Sequence, residues 1–237
     1  MPDKKPNDID IELLVRMVIH DLDAPLAVIN NMLNRIRIGR FDPKNDSHLR
    51  LVRSSNMALD RAQRMMRDLQ EVMANRSLNV KMKKIDIRMI GENIVSEFQP
   101  VASSEGYRFE WSCKKRGDIN TDPDIVARIA MNFLFNALYH SNRTKPINLL
   151  LERLNDDAFK ISVRNYGSKI PDEFINKIFN PGVQLNLKVN RKYQGHGLGL
   201  AFCKIGAEAI GGVVKASNLS DETVEFSLIV NGSNNNE

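Results

Sequence analysis

The sequence of 237 residues is poor in cysteine and in aromatic residues, and it contains no long hydrophobic run. Its two cysteines, Cys113 and Cys203, cannot build a disulfide framework, and neither lies in a cluster with zinc-ligand spacing. No apolar stretch approaches the roughly 18 residues that a membrane-spanning helix needs, and the polar start lacks the apolar core of a signal peptide. We therefore expect no membrane span in this chain and a cytoplasmic location.

Concentrated positive charge is also missing. The net charge of +5 is the small difference between 34 basic and 29 acidic residues, and aromatic residues make up only 6%. A nucleic-acid-binding surface usually clusters basic residues and interleaves aromatic ones, so we expect no nucleic-acid partner. The hydrophobic share of 42% and the charged share of 27% are typical of a globular protein with one large or two small domains.

What the N-terminal part does contain is a helical pattern. Residues 11–38 repeat apolar side chains at helical spacing, and every seventh position from Val15 to Ile36 is apolar. Gly39 and a turn-rich segment end this helix, and a second helical pattern follows. Two helices of this length cannot enclose a core by themselves. Residues 11–76 therefore predict a two-helix hairpin that forms a homodimer, with four helices in one bundle.

The remaining chain, residues 85–231, alternates short β-like segments with helical patterns. Such a mixture predicts an α+β sandwich, with helices on one face of a mostly antiparallel sheet. The predicted strands are 107–111, 147–151, 159–163, 213–216 and 224–230, and the predicted helices are 88–98, 123–140, 172–178 and 198–210. Residues 77–84 are the expected linker, residues 1–10 a flexible tail and residues 232–237 a disordered tail.

The first candidate for chemistry lies in the first helix, where Asp21 follows His20 and Pro25 comes four positions later. The heptad pattern places His20 at the outermost position of the bundle, where a partner can reach it. A proline inside a helix forfeits a backbone hydrogen bond, so Pro25 should bend the helix just beyond the histidine. Asp21 can fix the imidazole tautomer or accept its proton. Taken alone, the pair is more simply read as a surface histidine beside a chance kink.

Two further candidates contain asparagine. Asn132 and Asn136 share one face of a predicted helix amid apolar residues. Their amide oxygens suit a magnesium ion that carries nucleotide phosphates, although buried carboxamides also pair with neighbouring backbone. Asn165 and Gly167 lie where a predicted strand ends. By itself, this pattern indicates only a turn.

The fourth candidate is a glycine-rich segment. Gly195, Gly197 and Gly199 alternate at the start of the predicted helix 198–210. Glycines allow close approach of the backbone to a ligand, and the N-terminus of a helix directs free N–H groups at phosphate oxygens. The strand context of a dinucleotide-binding fingerprint and the lysine of a P-loop are both missing.

In this order, the four segments resemble the sequence boxes of bacterial two-component histidine kinases, and the resemblance covers nearly the whole chain. The matching segments are 20–26 (phosphoacceptor box), 132–141 (N-box), 165–171 (G1-like box), 178–181 (F-box) and 195–200 (G2 box).

The resemblance implies a histidine-phosphotransfer hairpin followed by an ATP-binding domain of the Bergerat (GHKL) type. His20 would take the γ-phosphoryl group of ATP, with Asp21 as general base or orienting residue. Phosphohistidine would then pass the group to an aspartate in a response-regulator receiver domain. The sensor would lie either in a separate protein or in another part of a longer chain.

The resemblance also implies roles at the nucleotide. Asn132 and Asn136 would hold Mg2+, and Asn165 and Gly167 would contact the adenine of ATP. The residues expected around the phosphates are Lys188, Arg191, Lys192, Gly195, Gly197, Leu198 and Gly199, together with Tyr139. Tyr139 stands where the family usually has a phosphate-binding lysine, and Asn165 where it has an aspartate. Weaker adenine binding and slower autophosphorylation are the expected consequences.

Three functional classes follow. The first is an active histidine kinase. The second is a degenerate kinase or phosphotransfer adaptor that binds and inhibits a partner kinase. It is favoured by the departures at Asn165, Tyr139 and Lys169, which stands at the second glycine of the G1 box, and disfavoured by the intact glycine-rich segment. The third is an ATP-hydrolysing relative, disfavoured because Asn132 stands where those enzymes place a glutamate as base.

Overall fold

The computed structural model describes residues 11–73, 78–155, 158–180, 183, 198–219 and 222–231. The chain divides into two compact units, Met1–Ala74 and Asn75–Glu237. Within the described ranges, no helix combines the length and the apolar character needed to cross a membrane.

The N-terminal unit is a helical hairpin of α1 (Ile11–Arg37) and α2 (Asp46–Met73), which pack against each other. α1 runs through Pro25 as one helix. It ends where Gly39 adopts φ +66°, while the N–H of Arg40 donates to the carbonyl of Arg35 at 2.9 Å. This left-handed ending suits glycine because a side chain there would be strained. The side chain of Asn45 caps α2 by accepting the N–H of Ser47 at 2.9 Å.

The C-terminal unit is built on a five-stranded sheet of order β2-β4-β5-β7-β6, antiparallel except for the parallel pair β2 and β4. Its elements are β1 (Lys83–Asp86), α3 (Ile87–Ser104), β2 (Phe109–Lys114), β3 (Asp118–Thr121), α4 (Pro123–His140), β4 (Ile147–Arg153), β5 (Phe159–Tyr166), α5 (Asp172–Ile175), α6 (Leu198–Ala209), β6 (Gly212–Asn218) and β7 (Thr223–Val230). The helices α3, α4 and α6 pack on one face of this sheet. The prediction of an α/β sandwich with a mostly antiparallel sheet is confirmed.

The two faces of the sheet differ in chemistry. Alternate residues of β5 that face the helices, such as Ile161 and Val163, are almost completely buried. On the other face, Glu225 of β7 accepts hydrogen bonds from Lys160 at 2.8 Å and Arg164 at 2.5 Å, both on β5. Burial acts to raise the pKa of Glu225, but the bonds to the two cations outweigh it and leave this pKa below its ordinary value. The three side chains thus tie the neighbouring strands β5 and β7 together.

Several elements differ from the predicted ones. β1 and β3 were not predicted, and β1 begins at Lys83, inside the expected linker. The two strands pair only with each other. Their residues are largely polar, so neither shows the alternation of apolar and polar residues by which a strand is predicted. α3 continues through Pro100 to Ser104 because Ala102 still packs into the core. The predicted helix 172–178 shrinks to the single turn of α5.

Candidate functional site

The site begins with α4, whose first turn is specified locally. The carboxylate of Asp122 accepts the N–H groups of Asp124 at 3.0 Å and Ile125 at 3.1 Å, and Pro123 occupies the first helical position. One side of α4 is buried against the sheet. Asn136 and His140, four positions apart on this helix, both line a pocket on the same side.

The end of α4 docks closely on the end of β5. The N–H of Asn142 donates to the carbonyl of Tyr166 at 2.7 Å, and Ser141 pairs with Gly167. A Cβ atom on Gly167 would lie 1.9 Å from the carbonyl oxygen of His140. Only glycine fits this approach, which brings the last turn of α4 beside the last residues of β5.

A pocket that is partly open to solvent lies at this junction. Its lining residues are Asn136 and His140 of α4, Asn165 of β5, Ser168 and Ile170 of the next loop, Ile178, and Val224 and Phe226 of β7. Apolar walls with a few polar groups are typical of a small-molecule site.

One wall of the pocket is held by a residue far along the chain. The carboxamide of Asn218, at the end of β6, donates to the carbonyl of Ile170 at 2.7 Å and accepts its N–H at 2.9 Å. This pair of bonds fixes the loop that follows β5, and with it the position of Ile170 in the wall.

Two residues that line the pocket each carry a buried polar atom without a hydrogen-bond partner. Asn165 is 1% exposed, and its Nδ2 is buried without a hydrogen-bond acceptor. The Nδ1 of His140 is likewise buried and unpartnered. An unsatisfied buried polar atom costs free energy, so a ligand that supplied the missing bond would be favoured.

The charge state of the pocket follows from burial. Burial lowers the pKa of His140 from 6.5 to about 4. The imidazole is therefore neutral at pH 7, so it can form hydrogen bonds or stack but cannot compensate phosphate charge.

Asn132 lies one turn before Asn136 and has a contact of its own. Its Nδ2 donates to the carbonyl of Gly199 at 3.1 Å, and a Cβ on Gly199 would lie 3.1 Å from its Oδ1. Asn132 therefore ties α4 to the first turn of α6, in which Gly199 is the second residue.

The predicted site residues fall into three groups. Asn136 and Asn165 meet in the pocket, Asn132 meets Gly199, and Gly167 packs on the end of α4. Tyr139 is not among the pocket-lining residues, and its ring meets that of His140 edge-on with centroids 4.4 Å apart.

The remaining predicted residues lie elsewhere. His20 and Asp21 are part of α1 in the N-terminal unit. Leu198 is the first residue of α6. The predicted residues outside the described ranges are Lys188, Arg191, Lys192, Gly195 and Gly197.

Two contributors were missed by sequence reasoning. His140 could have been found, because it lies four positions after Asn136 on the same helix. Asn218 had no local signal, since its role depends on how β6 is placed beside the loop that follows β5.

Comparison with known proteins agrees with this geometry. The family described as histidine kinase-, DNA gyrase B- and HSP90-like ATPase matches residues 121–231, a range that contains the pocket. Sensor protein VanSC of Enterococcus gallinarum is 27% identical over 220 residues, which are 91% of this chain and 59% of that protein. Sensor protein kinase WalK of Staphylococcus epidermidis is 26% identical over 218 residues, 88% of this chain and 34% of its own length.

The resemblance to two-component sensor histidine kinases is confirmed. Among solved structures, the histidine kinase AdeS of Acinetobacter baumannii has a TM-score of 0.64 at 17% identity, covering 91% of this chain and 98% of that one. The histidine kinase ThkA, solved in complex with the response regulator TrrA, also has a TM-score of 0.64 at 17% identity, covering 95% of this chain and 63% of that one. These two structures share the fold. The chain spans 59% and 34% of the lengths of VanSC and WalK.

Proposed function

We propose that this chain is the phosphotransfer and ATP-binding part of a two-component histidine kinase. ATP held by the C-terminal unit would phosphorylate His20, and a receiver-domain aspartate of a response regulator would then take the phosphoryl group. The observation that carries this proposal is the pocket at the junction of α4 and β5, with its two unsatisfied polar atoms, inside a domain that matches the ATPase family.

The pocket suits the base of ATP. Ile170, Ile178, Val224 and Phe226 offer an apolar surface of the kind that a flat heterocycle needs. The carboxamide of Asn165 offers hydrogen bonds at its buried end. The neutral ring of His140 adds a polar edge without adding charge.

The phosphates and the metal would lie near the two asparagines of α4. Asn136 lines the pocket, and its amide oxygen belongs to the hard ligand class that magnesium prefers. Asn132, the second ligand in this proposal, is held in place by its bond to Gly199. When bound, Mg2+ would compensate the negative charge of the triphosphate. Lys188, Arg191, Lys192, Gly195 and Gly197 remain predicted phosphate contacts.

At His20, the reaction is a simple group transfer. A ring nitrogen of the imidazole forms a bond to the γ-phosphorus while the bond to the ADP oxygen breaks, and Asp21 takes the ring proton or orients the ring. The imidazole attacks phosphorus in its neutral form, in which one ring nitrogen has a free lone pair. The protein's main task is then to position the groups and compensate their charge.

The hairpin is proposed to dimerise. α1 leaves Ile19, Leu26 and Leu33 exposed at intervals of seven residues, and α2 does the same with Leu59 and Met66. A second copy of the hairpin would cover these side chains in a four-helix bundle.

A response-regulator receiver domain is the proposed downstream partner. ThkA, which shares the fold, was solved with its response regulator, and VanSC is a sensor protein. The inhibitory adaptor is the competing function, supported by the uncharged Asn165 and by Tyr139 in place of a lysine. ATP hydrolysis is disfavoured because the carboxamide of Asn132 cannot act as a base for water.

The test is phosphorylation with γ-labelled ATP and Mg2+. The wild-type protein should gain label that is lost in acid and kept in base, and His20→Gln should gain none. His48→Gln is the matched control in the same hairpin. His48 accepts the N–H of Asp42 at 2.9 Å, a bond that the amide oxygen of glutamine can also accept. Label that persists in His20→Gln contradicts the assignment, and a wild type that binds ATP without gaining label favours the adaptor.

A further inference from the structure

The carboxylate of Asp122 has a second contact besides the cap of α4. Its Oδ1 accepts the N–H groups of Asp124 and Ile125 in the first turn of the helix. Its Oδ2 accepts the N–H of Lys81 at 2.7 Å, and Lys81 lies 41 positions earlier in the chain. Asp122 is only 4% exposed, so little water competes for these three bonds.

Lys81 belongs to residues 78–82, which we call the entry segment because they are the first described residues of the C-terminal unit. The entry segment is part of no helix or strand and leads directly into β1. Leu78 and Val80 are half-buried and pack against the hydrophobic core, whereas Lys81 is exposed. The bond from the Lys81 backbone to Asp122 therefore adds a directional anchor to this apolar packing.

We propose that Asp122 is a positioning residue for phosphoryl transfer to His20, because its Oδ2 holds the entry segment on the ATP-binding unit. This inference rests on the proposed function, since it requires His20 as the phosphoryl acceptor. Asp122 touches neither ATP nor His20 in this proposal. It acts through the chain that connects the two units.

The expected size of the effect follows from the length of that connection. α2 ends at Met73, five positions before Leu78 and ten positions before Lys83, where β1 begins. Release of the entry segment therefore doubles the number of residues between α2 and the first residue fixed in the C-terminal unit. The effective concentration of one linked group at another falls with about the 3/2 power of this length, which is about three-fold here.

Asp122→Asn separates the anchor from the helix cap. Asparagine caps helices as well as aspartate does, and its Oδ1 can accept the same two N–H groups of α4. The amide nitrogen then faces the N–H of Lys81, so two donors meet and the anchor is lost. Asp86→Asn is the matched control, because Asp86 caps α3 by accepting the N–H of Arg88 at 2.8 Å.

Lys81→Pro removes the same bond from its other end, because proline has no N–H. The exposed side chain of Lys81 contributes little packing that could be lost. Asn79→Pro is the control for this variant. Asn79 is the central residue of a three-residue turn, in which the N–H of Val80 donates to the carbonyl of Leu78 at 2.8 Å, and proline suits the backbone of such a turn.

The test measures two quantities on the full chain with Mg2+: the rate of His20 phosphorylation at saturating γ-labelled ATP, and the affinity for ATP by calorimetry. Asp122→Asn and Lys81→Pro should each lower the saturated rate about three-fold or more. Both should keep the ATP affinity within about two-fold of the wild type, because the pocket is unchanged. Asp86→Asn and Asn79→Pro should match the wild type in both quantities.

The possible results separate the inference from the function on which it rests. An unchanged saturated rate in Asp122→Asn overturns the inference, while label on wild-type His20 keeps the proposed function. Equal losses of rate and ATP affinity also overturn it, because they indicate damage to α4 rather than a released segment. A wild type without label on His20 overturns both. Thermal melting checks folding, and Lys81→Pro decides alone if Asp122→Asn is unfolded.

Discussion

His140, the last residue of α4, has a buried ring nitrogen. In the folded protein, burial lowers its pKa from 6.5 to about 4, whereas in the unfolded chain it regains an ordinary value. Between these two pH values, the unfolded chain binds a proton that the folded protein excludes. The free energy of unfolding therefore rises with pH across this window, and the stability is lost as the pH falls from about 6.5 towards 4.

Acidification should therefore destabilise the C-terminal unit through this one residue. From pH 7 to pH 5, we expect the free energy of unfolding to fall by about 2 kcal/mol because of His140. Trp111 is the single tryptophan and lies in this unit, so its fluorescence during urea unfolding follows the unit directly.

His140→Phe is the control, because it keeps a ring and removes the titration. From pH 7 to pH 5, the free energy of unfolding of the variant should fall by about 2 kcal/mol less than that of the wild type. An equal loss in both proteins would show that another group causes the pH dependence.

At the scale of elements, the contact between α4 and β5 determines whether the pocket exists. A Cβ on Gly167 would collide with the backbone oxygen of His140 at 1.9 Å, and a backbone atom cannot rotate away as a side chain can. Gly167→Ala should therefore lower the free energy of unfolding by about 3 kcal/mol and weaken ATP binding, since the junction positions His140 and Asn165.

Gly106→Ala is the control, because it strains the backbone without causing a collision. Gly106 has φ +74° and open space around its Cβ position, so alanine there should cost only about 1 kcal/mol. Urea unfolding followed by Trp111 fluorescence compares the two variants. Equal losses would mean that the close approach at Gly167 relaxes easily.

The same elements show what the sequence could predict. α4 begins at Pro123 as predicted, because Asp122 and Pro123 are local start signals that need no tertiary contact. The placement of Asn132 and Asn136 on one helix also followed from spacing alone. Val224 and Phe226 could not be assigned to the pocket, since the register of β7 against β5 is set by long-range pairing.

At the scale of the whole molecule, the order of the sequence boxes indicated the resemblance to two-component histidine kinases. The two-unit organisation followed from a change of period, from helical repeats to mixed patterns. Asn132 shows where this reasoning stops. Its position in the sequence suggested a metal ligand. Its bond to Gly199 could not be predicted, because it is a tertiary contact between α4 and α6 that no local pattern encodes.

Dimerisation is the prediction that concerns the molecule as a whole. Leu33 is 52% exposed in the single chain and belongs to the heptad stripe with Ile19 and Leu26. In a bundle of two hairpins, Leu33→Asp would bring one carboxylate from each copy into an apolar seam, where an unpaired charge is costly. The dissociation constant of the dimer should rise at least 100-fold.

Sedimentation equilibrium at micromolar concentration measures this effect. The wild type should have twice the chain mass of 26.9 kDa, and Leu33→Asp should be monomeric. Asn34→Asp is the matched control, because it adds the same charge at the adjacent exposed position and should leave the dimer intact. A monomeric wild type, or equal dissociation constants for the two variants, would contradict a dimer formed through this stripe. A dimer sensitive only to Leu33→Asp would locate the interface on the face of α1 that the single hairpin leaves exposed.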